Sequence, residues 1–531
     1  MMKKSLYPKI NIMDEIRILW ADDEIDLLKP QIRFLEQKGY KVQTVTNGYD
    51  AIDEIEHDQG IQIVFLDESM PGIGGLETLA KLKEIRPHLL VVMITKNETE
   101  NLMNDAIGSQ IADYLIKPVN PNQILLTLKK LIDNKRLVKE KRTMEYQQDF
   151  RQIFMQLNSS LDIKEWVEVY KKIILWELKL DESRNIEMSN ILSQQKDDAN
   201  DAFAKYVIKN YENWVHNLKE YSLTMSNTLM REKVFPYLDG KQPTVVLLLD
   251  NFRLDQWKVL EPIFLEYFKL EEEDYFFSIL PTTTQYSRNA IFSGLMPSEI
   301  AKKYPEQWLN DNEEGGKNMH EEQFLRDQVK RVLRKEVKVD YQKITNVSVA
   351  KQLLDNALNL LNNDLSVIVY NFIDMLSHAR TEMEVLKELA NDETAYRSLT
   401  KSWFMHSPLF QVLQKLSTQS VQLIVLTDHG TIRVKNPVKV LGDRETTTNL
   451  RYKVGKNLQY DSKAVLEFRN PEDIFLPKPN MSSGYIFGLN DDFFLYPNNY
   501  NYYNNYYKNT FQHGGVSLEE MICPVIRMKS K

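Results

Sequence analysis

The run Ile63-Val64-Phe65-Leu66-Asp67-Glu68-Ser69-Met70-Pro71-Gly72 decides how the first part of the chain is read. Four consecutive apolar residues describe a strand buried on both faces, as in a parallel sheet. The strand ends on a carboxylate, and Met-Pro-Gly turns the chain away. Asp67 is therefore expected at the carboxyl edge of an open α/β sheet, where such sheets bind ligands.

Three pieces on either side complete the pattern. Ile16-Arg17-Ile18-Leu19-Trp20 reads as an earlier strand that ends in Asp22-Asp23. That acidic pair can hold one Mg²⁺, with water and Asp67 filling the octahedron. A later strand, Leu89 to Ile94, ends at Thr95, and another ends as Tyr114-Leu115-Ile116-Lys117-Pro118. A lysine beside a phosphoryl group neutralises its charge, and a hydroxyl hydrogen-bonds one of its oxygens. An Asp after a strand is ordinarily a turn or cap residue. The inference rests on the ordered set, with each member at a strand end of one (βα) repeat.

Residues 14–130 resemble the receiver domain of two-component response regulators. The resemblance implies a flavodoxin-like doubly wound sheet in which Asp67 accepts phosphate from a histidine kinase. It also implies Asp22, Asp23 and Asp67 on Mg²⁺, Lys117 on the phosphoryl group, and Thr95 with Tyr114 as the switch pair. Tyr114 fits a packed aromatic equally well. Phosphorylation in this family favours a homodimer, through one local charge that shifts a population.

A length of 531 residues suggests about three or four domains. With 43% hydrophobic and 27% charged residues, there is ample material for packed cores. A net charge of -8 argues against a general nucleic-acid clamp. The single cysteine, Cys523, cannot form an internal disulfide or a cysteine-rich zinc site, and a buried apolar role is expected for it. No apolar stretch approaches ~18 residues, and the first residues lack a signal-peptide h-region. A cytoplasmic location is the expectation.

From 131 to 238 the chain has few glycines or prolines and shows helical apolar spacing, as in Phe150, Ile153, Phe154 and Leu157, then Trp166, Val169, Tyr170, Ile173 and Ile174. This is read as a helical connector bundle. The charged run 135–142 is read as a solvated helix face. No helix-turn-helix, zinc-finger or homeodomain signature occurs, so direct DNA-binding output is disfavoured. A second α/β domain, 239–531, opens at Thr244-Val245-Val246-Leu247-Leu248-Leu249-Asp250 and continues with Val367-Ile368-Val369-Tyr370 and Leu423-Ile424-Val425-Leu426. The segment 498–509, rich in Asn and Tyr, reads as a surface loop or hairpin. A base-stacking surface or a lid over His513 is the alternative.

Metal-ligand residues gather at the strand ends of this second domain: Asp250, Asp374 with His378, Asp428-His429, and His513 before Gly514-Gly515. Three Asp and three His are ligand types that zinc accepts at about 2 Å. A lone His-Gly or Asp-His is ordinarily a turn or core residue, and His57, His88, His216, His320 and His406 are read as structural or surface residues. The run Leu280-Pro281-Thr282-Thr283-Thr284-Gln285-Tyr286-Ser287-Arg288 reads as a hydroxyl-bearing turn that enters a helix. It suits either a phosphate-facing nucleophile or a plain N-cap cluster.

This order of residues resembles the alkaline phosphatase superfamily, and Pro-Thr-x-Thr followed by Ser-Gly-Leu-x-Pro is similar to its nucleotide pyrophosphatase/phosphodiesterase branch. The resemblance implies that Thr284 is the nucleophile, with Thr283 or Thr282 as fallback. One zinc would lie on Asp374, His378 and His513, and the other on Asp250, Asp428, His429 and the Thr284 hydroxyl. Arg288 is a candidate for the substrate-clamping arginine. Over its full length the chain resembles the PorX-type response regulators, whose output is a PglZ domain. That family implies a PorY-like histidine kinase, control of the type IX secretion system, and contacts to a sigma factor or secretion components. The leading expectation is a phosphorylation-switched, zinc-dependent phosphodiesterase acting on a nucleotide or oligonucleotide. The alternative is a regulatory module in which the metal is structural and output passes through protein contacts.

Overall fold

The structure, a computed structural model, describes residues 16–96, 111–183, 186–371, 373–376, 392–443 and 446–531. The chain forms two compact units, Met1–Gln148 and Asp149–Lys531.

The first unit is built on five strands: β1 (Arg17–Ala21), β2 (Lys41–Val45), β3 (Ile61–Asp67), β4 (Leu90–Thr95) and β5 (Asp113–Ile116). They pair in parallel in the order β2-β1-β3-β4-β5. Side chains alternate across a strand, so each strand feeds two cores. Ile18, Trp20, Phe65, Val92 and Ile94 enter one core with Leu35, Ile124 and Leu128 from flanking helices. Leu19, Ala21, Val64, Leu66, Val91 and Met93 enter the other with Ala51, Ile55, Leu79 and Leu82. Helices thus cover both faces, which is the doubly wound arrangement the sequence predicts. Gly75 opens the helix after the Asp67 loop. A Cβ there would stand 2.3 Å from the Asp67 carbonyl oxygen, so only glycine lets the helix start this close.

A long helix, Pro121–Leu157, leaves this unit, and the charged run 135–142 lies within it. The side chains of that run are outside the described residues. In the second unit the helices Ile163–Ser183 and Ile186–His216 pack with the α/β domain as one body. An aromatic cluster joins them to the sheet: Trp166 meets Phe203 edge-on at 5.3 Å, and Trp214 meets Phe277 at 5.8 Å. Aromatic pairs of this geometry add roughly 0.5–1.5 kcal/mol beyond area burial.

The large sheet contains β6 (Thr244–Leu249), β7 (Phe268–Phe277), β8 (Val339–Ile344), β9 (Leu365–Tyr370), β10 (Gln422–Leu426) and a C-terminal strand, Ile522–Ser530. Its order is β7, C-terminal strand, β10, β6, β9, β8. The four strands β10, β6, β9 and β8 run parallel, and the C-terminal strand is antiparallel to β10 and β7. Every residue of β6, β9 and β10 is buried, which explains their unbroken apolar runs. Cys523 is buried in the C-terminal strand, as expected. Among the described residues, no helix is long and apolar enough to cross a membrane.

The Asn/Tyr-rich segment differs from its expected loop or hairpin: Tyr500–Tyr507 is a helix. The tyrosines recur at four-residue spacing, so Tyr502 stacks on Tyr506 at 6.2 Å and Tyr503 on Tyr507 at 6.1 Å. Tyr500 and Tyr507 also pack on a small core of Ile432, Val434, Phe493 and Leu495. The composition looks loop-like, and tertiary packing overrides it.

Candidate functional site

Two acidic sites lie at strand ends, one in each unit. In the first, Asp22 follows β1 and Asp67 ends β3, and both are buried, while Asp23 is exposed. These three residues each offer a carboxylate oxygen, all within 4.8 Å of one another. Lys117 follows β5, and its Nζ lies 2.9 Å from Asp22 and 3.0 Å from Asp67. Burial pushes the Asp67 carboxyl above its ordinary range, against the hydrogen bond from Lys117. Burial would lower Lys117, but its bonds to Asp22 and Asp67 outweigh that and hold it raised. Thr95, at the end of β4, donates its hydroxyl to Glu68, the residue after Asp67. Tyr114 is 41% exposed, so it is not a packed core aromatic.

In the second unit, Asp250 follows β6, Asp374 follows β9, and Asp428-His429 follow β10. These strands are parallel neighbours, so all four residues reach the same sheet edge. Asp250, Asp428 and His429 are fully buried, with ligand atoms within 4.8 Å of one another. His429 Nδ1 lies 3.0 Å from the Gly430 carbonyl, which fixes the tautomer with a proton on Nδ1. The free Nε2 lone pair then faces Thr284 Oγ1 at 3.2 Å and Asp250 at 3.9 Å. Gly430 is required here, because a Cβ would lie 1.9 Å from the Glu519 carbonyl oxygen.

Thr284 begins a wide helical turn, Thr284–Arg288, that runs into Asn289–Ser293. Its hydroxyl is 3.3 Å from Asp250 Oδ1. Thr282 bonds instead to the Gly515 carbonyl at 3.0 Å, and it receives the Gly514 N–H at 3.0 Å. It is thus committed to holding the loop that carries His513. Thr283 is buried. The ring of His513 stacks on His429 at 4.4 Å, with Nδ1 3.3 Å from the Thr282 carbonyl and Nε2 3.7 Å from Asp374. His378 lies outside the described residues.

Arg288, a candidate for the substrate clamp in the sequence, faces carboxyl groups instead. It is fully buried, pairs with Asp250, and directs Nε and Nη2 to Asp428 Oδ2, each at 2.9 Å. On its other side Nη1 faces Glu321 at 3.6 Å and Asn371 at 3.3 Å. A guanidinium so enclosed braces ligands and presents nothing to a substrate. Burial acts to raise Asp428, but the Arg288 guanidinium beside it outweighs that and holds the carboxyl below the usual range. Asp250 is pushed well above it, first by burial and then by repulsion from Asp428 and Asp374, with Arg288 opposing. Buried Asp250 and Asp428 stand beside the half-buried Asp374, so three carboxyl groups gather at one edge with a single arginine braced against two of them. Together with an imidazole lone pair, that donor set fits a divalent cation.

The sequence reading missed the Arg288 brace, and also Asn251, whose N–H donates to Asp428 at 3.2 Å and whose amide reaches Asp374 at 3.4 Å. Its position directly after Asp250 was the available signal, since Asn tolerates the left-handed turn found there, at φ 62°.

Comparison with known families places each part of the chain. The model of the BREX system PglZ alkaline phosphatase-like domain matches residues 229–528, more than half of the chain. The chain belongs to the PglZ alkaline phosphatase-like family. The response regulator receiver domain matches residues 18–129, and the PorX response regulator linker domain matches 136–215. Receiver, linker and PglZ domain together form the PorX-type architecture. Among curated relatives, the phosphoglycerate transport system transcriptional regulatory protein PgtA of Salmonella typhimurium is 29% identical over 167 residues, 29% of this chain and 40% of that protein. The alginate biosynthesis transcriptional regulatory protein AlgB of Pseudomonas syringae is 34% identical over 121 residues, 23% of this chain and 27% of that protein. The chain spans less than half the length of these two relatives. A CheY-like receiver domain structure from Methanospirillum hungatei is 27% identical, covering 23% of this chain and 98% of that one, with a TM-score of 0.22.

Proposed function

We propose that this PglZ-family response regulator is a phosphorylation-switched, zinc-dependent phosphodiesterase acting on nucleotide or oligonucleotide diesters. The observation that carries this reading is the Thr284 hydroxyl, 3.3 Å from Asp250 and 3.2 Å from a His429 nitrogen whose tautomer leaves it free to accept. In this reading Asp250, Asp428, His429 and Thr284 hold one zinc, and Asp374, His378 and His513 hold the other. When bound, zinc lowers the pKa of a hydroxyl or water and stabilises charge on the leaving oxygen. Thr284 Oγ loses its proton to solvent and forms a bond to phosphorus while the P–O bond to the leaving oxygen breaks, and that oxygen takes a proton from solvent to depart as the alcohol. Water then cleaves the Thr284 adduct, so two inversions give net retention at phosphorus. Arg288 keeps both carboxyl groups in place throughout.

Asp67 is the phosphoacceptor in this reading, with Asp22 and Asp23 holding Mg²⁺ beside it, Lys117 on the phosphoryl group, and Thr95 and Tyr114 as the switch pair. The receiver fold supports a histidine kinase as phosphodonor. A PorY-like kinase, a sigma factor or type IX secretion components, a cytoplasmic location and a phosphorylation-promoted dimer belong to the proposal, as does the division into 14–130, 131–238 and 239–531. Zinc-loaded full-length protein is expected to hydrolyse bis-p-nitrophenyl phosphate faster than the monoester. Two bound zinc ions with no turnover of either ester would defeat the enzymatic reading in favour of the protein-binding module.

A further inference from the structure

Arg253 lies three residues beyond Asp250 and is 1% exposed. Its guanidinium touches the segments that carry His429 and His513, and it reaches the segment of Asp374 through Tyr396. Nη1 donates to the Thr431 carbonyl at 3.3 Å, two residues after His429. Its Cζ lies 5.2 Å from the ring of Phe511, two residues before His513, and 5.6 Å from the ring of Tyr396. Tyr396 stacks on Phe511 at 4.3 Å and directs its hydroxyl to the carbonyl of Ile373, beside Asp374, at 3.5 Å. A planar guanidinium can hold carbonyls at its edge and aromatic rings against its face at once, which an ammonium cannot.

The same residue is anchored from behind by a buried chain of charge. Arg253 Nε donates to Asp255 at 2.9 Å, and a second nitrogen pairs with Glu393. Arg397 donates to the other Asp255 oxygen at 3.0 Å and reaches Asp181 at 2.5 Å and Glu177 at 3.6 Å, both on the helix Ile163–Ser183. Asp181 also accepts the Thr394 hydroxyl at 2.9 Å. Hydrophobic packing of similar volume generally serves stability as well as a buried ion chain.

We propose that Arg253 is a positioning residue for the metal centre, and that the linker helix Ile163–Ser183 acts on the ligand segments through Arg397, Asp255 and Arg253. The inference rests on the metal-site reading above and deepens it by naming a route of control. A shift of that helix moves Asp181 and Glu177, reorients Arg397 and Asp255, and through Arg253 changes the relative placement of Asp250, His429, Asp374 and His513. Coupling of this kind requires a contiguous network with two arrangements, and its proof is energetic.

The test is Zn²⁺ affinity of the metal-free full chain, measured by competition with a chromophoric chelator, for wild type, Arg253→Lys, Asp181→Asn and the double variant. Unfolding midpoints of the metal-free proteins are recorded in parallel. Arg253→Lys keeps the charge and loses the fork, so affinity should fall roughly 10- to 100-fold, the usual range for residues that orient ligands. Asp181→Asn should weaken affinity by a smaller factor, and that factor should vanish when Lys stands at 253. Wild-type affinity in Asp181→Asn overturns the proposal whether or not Arg253→Lys folds. So does a lowered midpoint in Arg253→Lys with unchanged affinity, or independent effects in the double variant. A wild-type chain that binds no Zn²⁺ would instead overturn the metal-site reading itself, and this inference with it.

Discussion

The chain contains two versions of one electrostatic arrangement, and they differ in the cation. In the receiver, the Lys117 amine sits between Asp22 and Asp67 at 2.9 and 3.0 Å, beside an exposed Asp23. In the PglZ domain, Arg288 binds Asp428 through two nitrogens and also pairs with Asp250, with no exposure at all. An ammonium on a flexible stem can shift from a carboxylate to an arriving phosphoryl oxygen, whereas a forked guanidinium fixes its partners. The first arrangement suits a charge that comes and goes. The second suits a permanent ligand frame.

The comparison breaks most visibly if the two sites are not chemically independent. Asp67→Asn should abolish labelling from acetyl phosphate and leave bound zinc at the wild-type level. Asp250→Asn should do the reverse. Phosphopeptide mapping and metal analysis on the same samples decide this, and loss of zinc in Asp67→Asn would mean that the receiver site is misread.

The next effect sharpens the scaffold reading of Arg288. Arg288→Met leaves two buried carboxylates without their cation, which costs about 3–5 kcal/mol. Urea unfolding of the metal-free variant measures the loss. Zinc should raise the midpoint of the variant more than that of the wild type, because the ion replaces the missing charge. Equal losses with and without zinc would show that Arg288 serves packing alone.

Lys453 supplies the smallest and most diagnostic contrast, since it is a buried amine with no carboxylate partner among the described residues. It is 1% exposed, donates to the Thr447 carbonyl at 2.9 Å and lies 4.6 Å from the centre of the Tyr496 ring. Burial pushes its ammonium down to about 7. The unfolded chain then binds more protons than the folded one above that value, so stability rises with pH, by about 2 kcal/mol from pH 7 to 9. Lys453→Met should flatten that rise, as read from urea midpoints across the range. An unchanged slope would show that Lys453 is charged in the fold.

Both strand-end sites were legible in the sequence because their apolar runs stop at carboxylates, as at Leu66-Asp67 and Leu249-Asp250. A buried strand has a period and a length that a single chain displays, and its final polar residue stands out. The braces were not legible. Arg288, four residues after Thr284, suits a substrate clamp in the sequence, and only the folded chain shows that its helical turn packs face-down on Asp250 and Asp428. Arg253 is hidden for the same reason, since its partners at 393, 431 and 511 converge only in three dimensions. The helix at Tyr500–Tyr507 was masked by a composition that favours loops. Its tyrosine spacing was the overlooked helical signal.

The central claim is that the Thr284 hydroxyl attacks phosphorus within a frame held by Asp250, Asp428 and His429. The most direct test is turnover of bis-p-nitrophenyl phosphate by zinc-loaded Thr284→Val, with bound zinc counted in the same preparation. Loss of turnover by about a thousandfold or more, with zinc retained, is the expected result for a missing nucleophile. Turnover within a few-fold of wild type would contradict the claim.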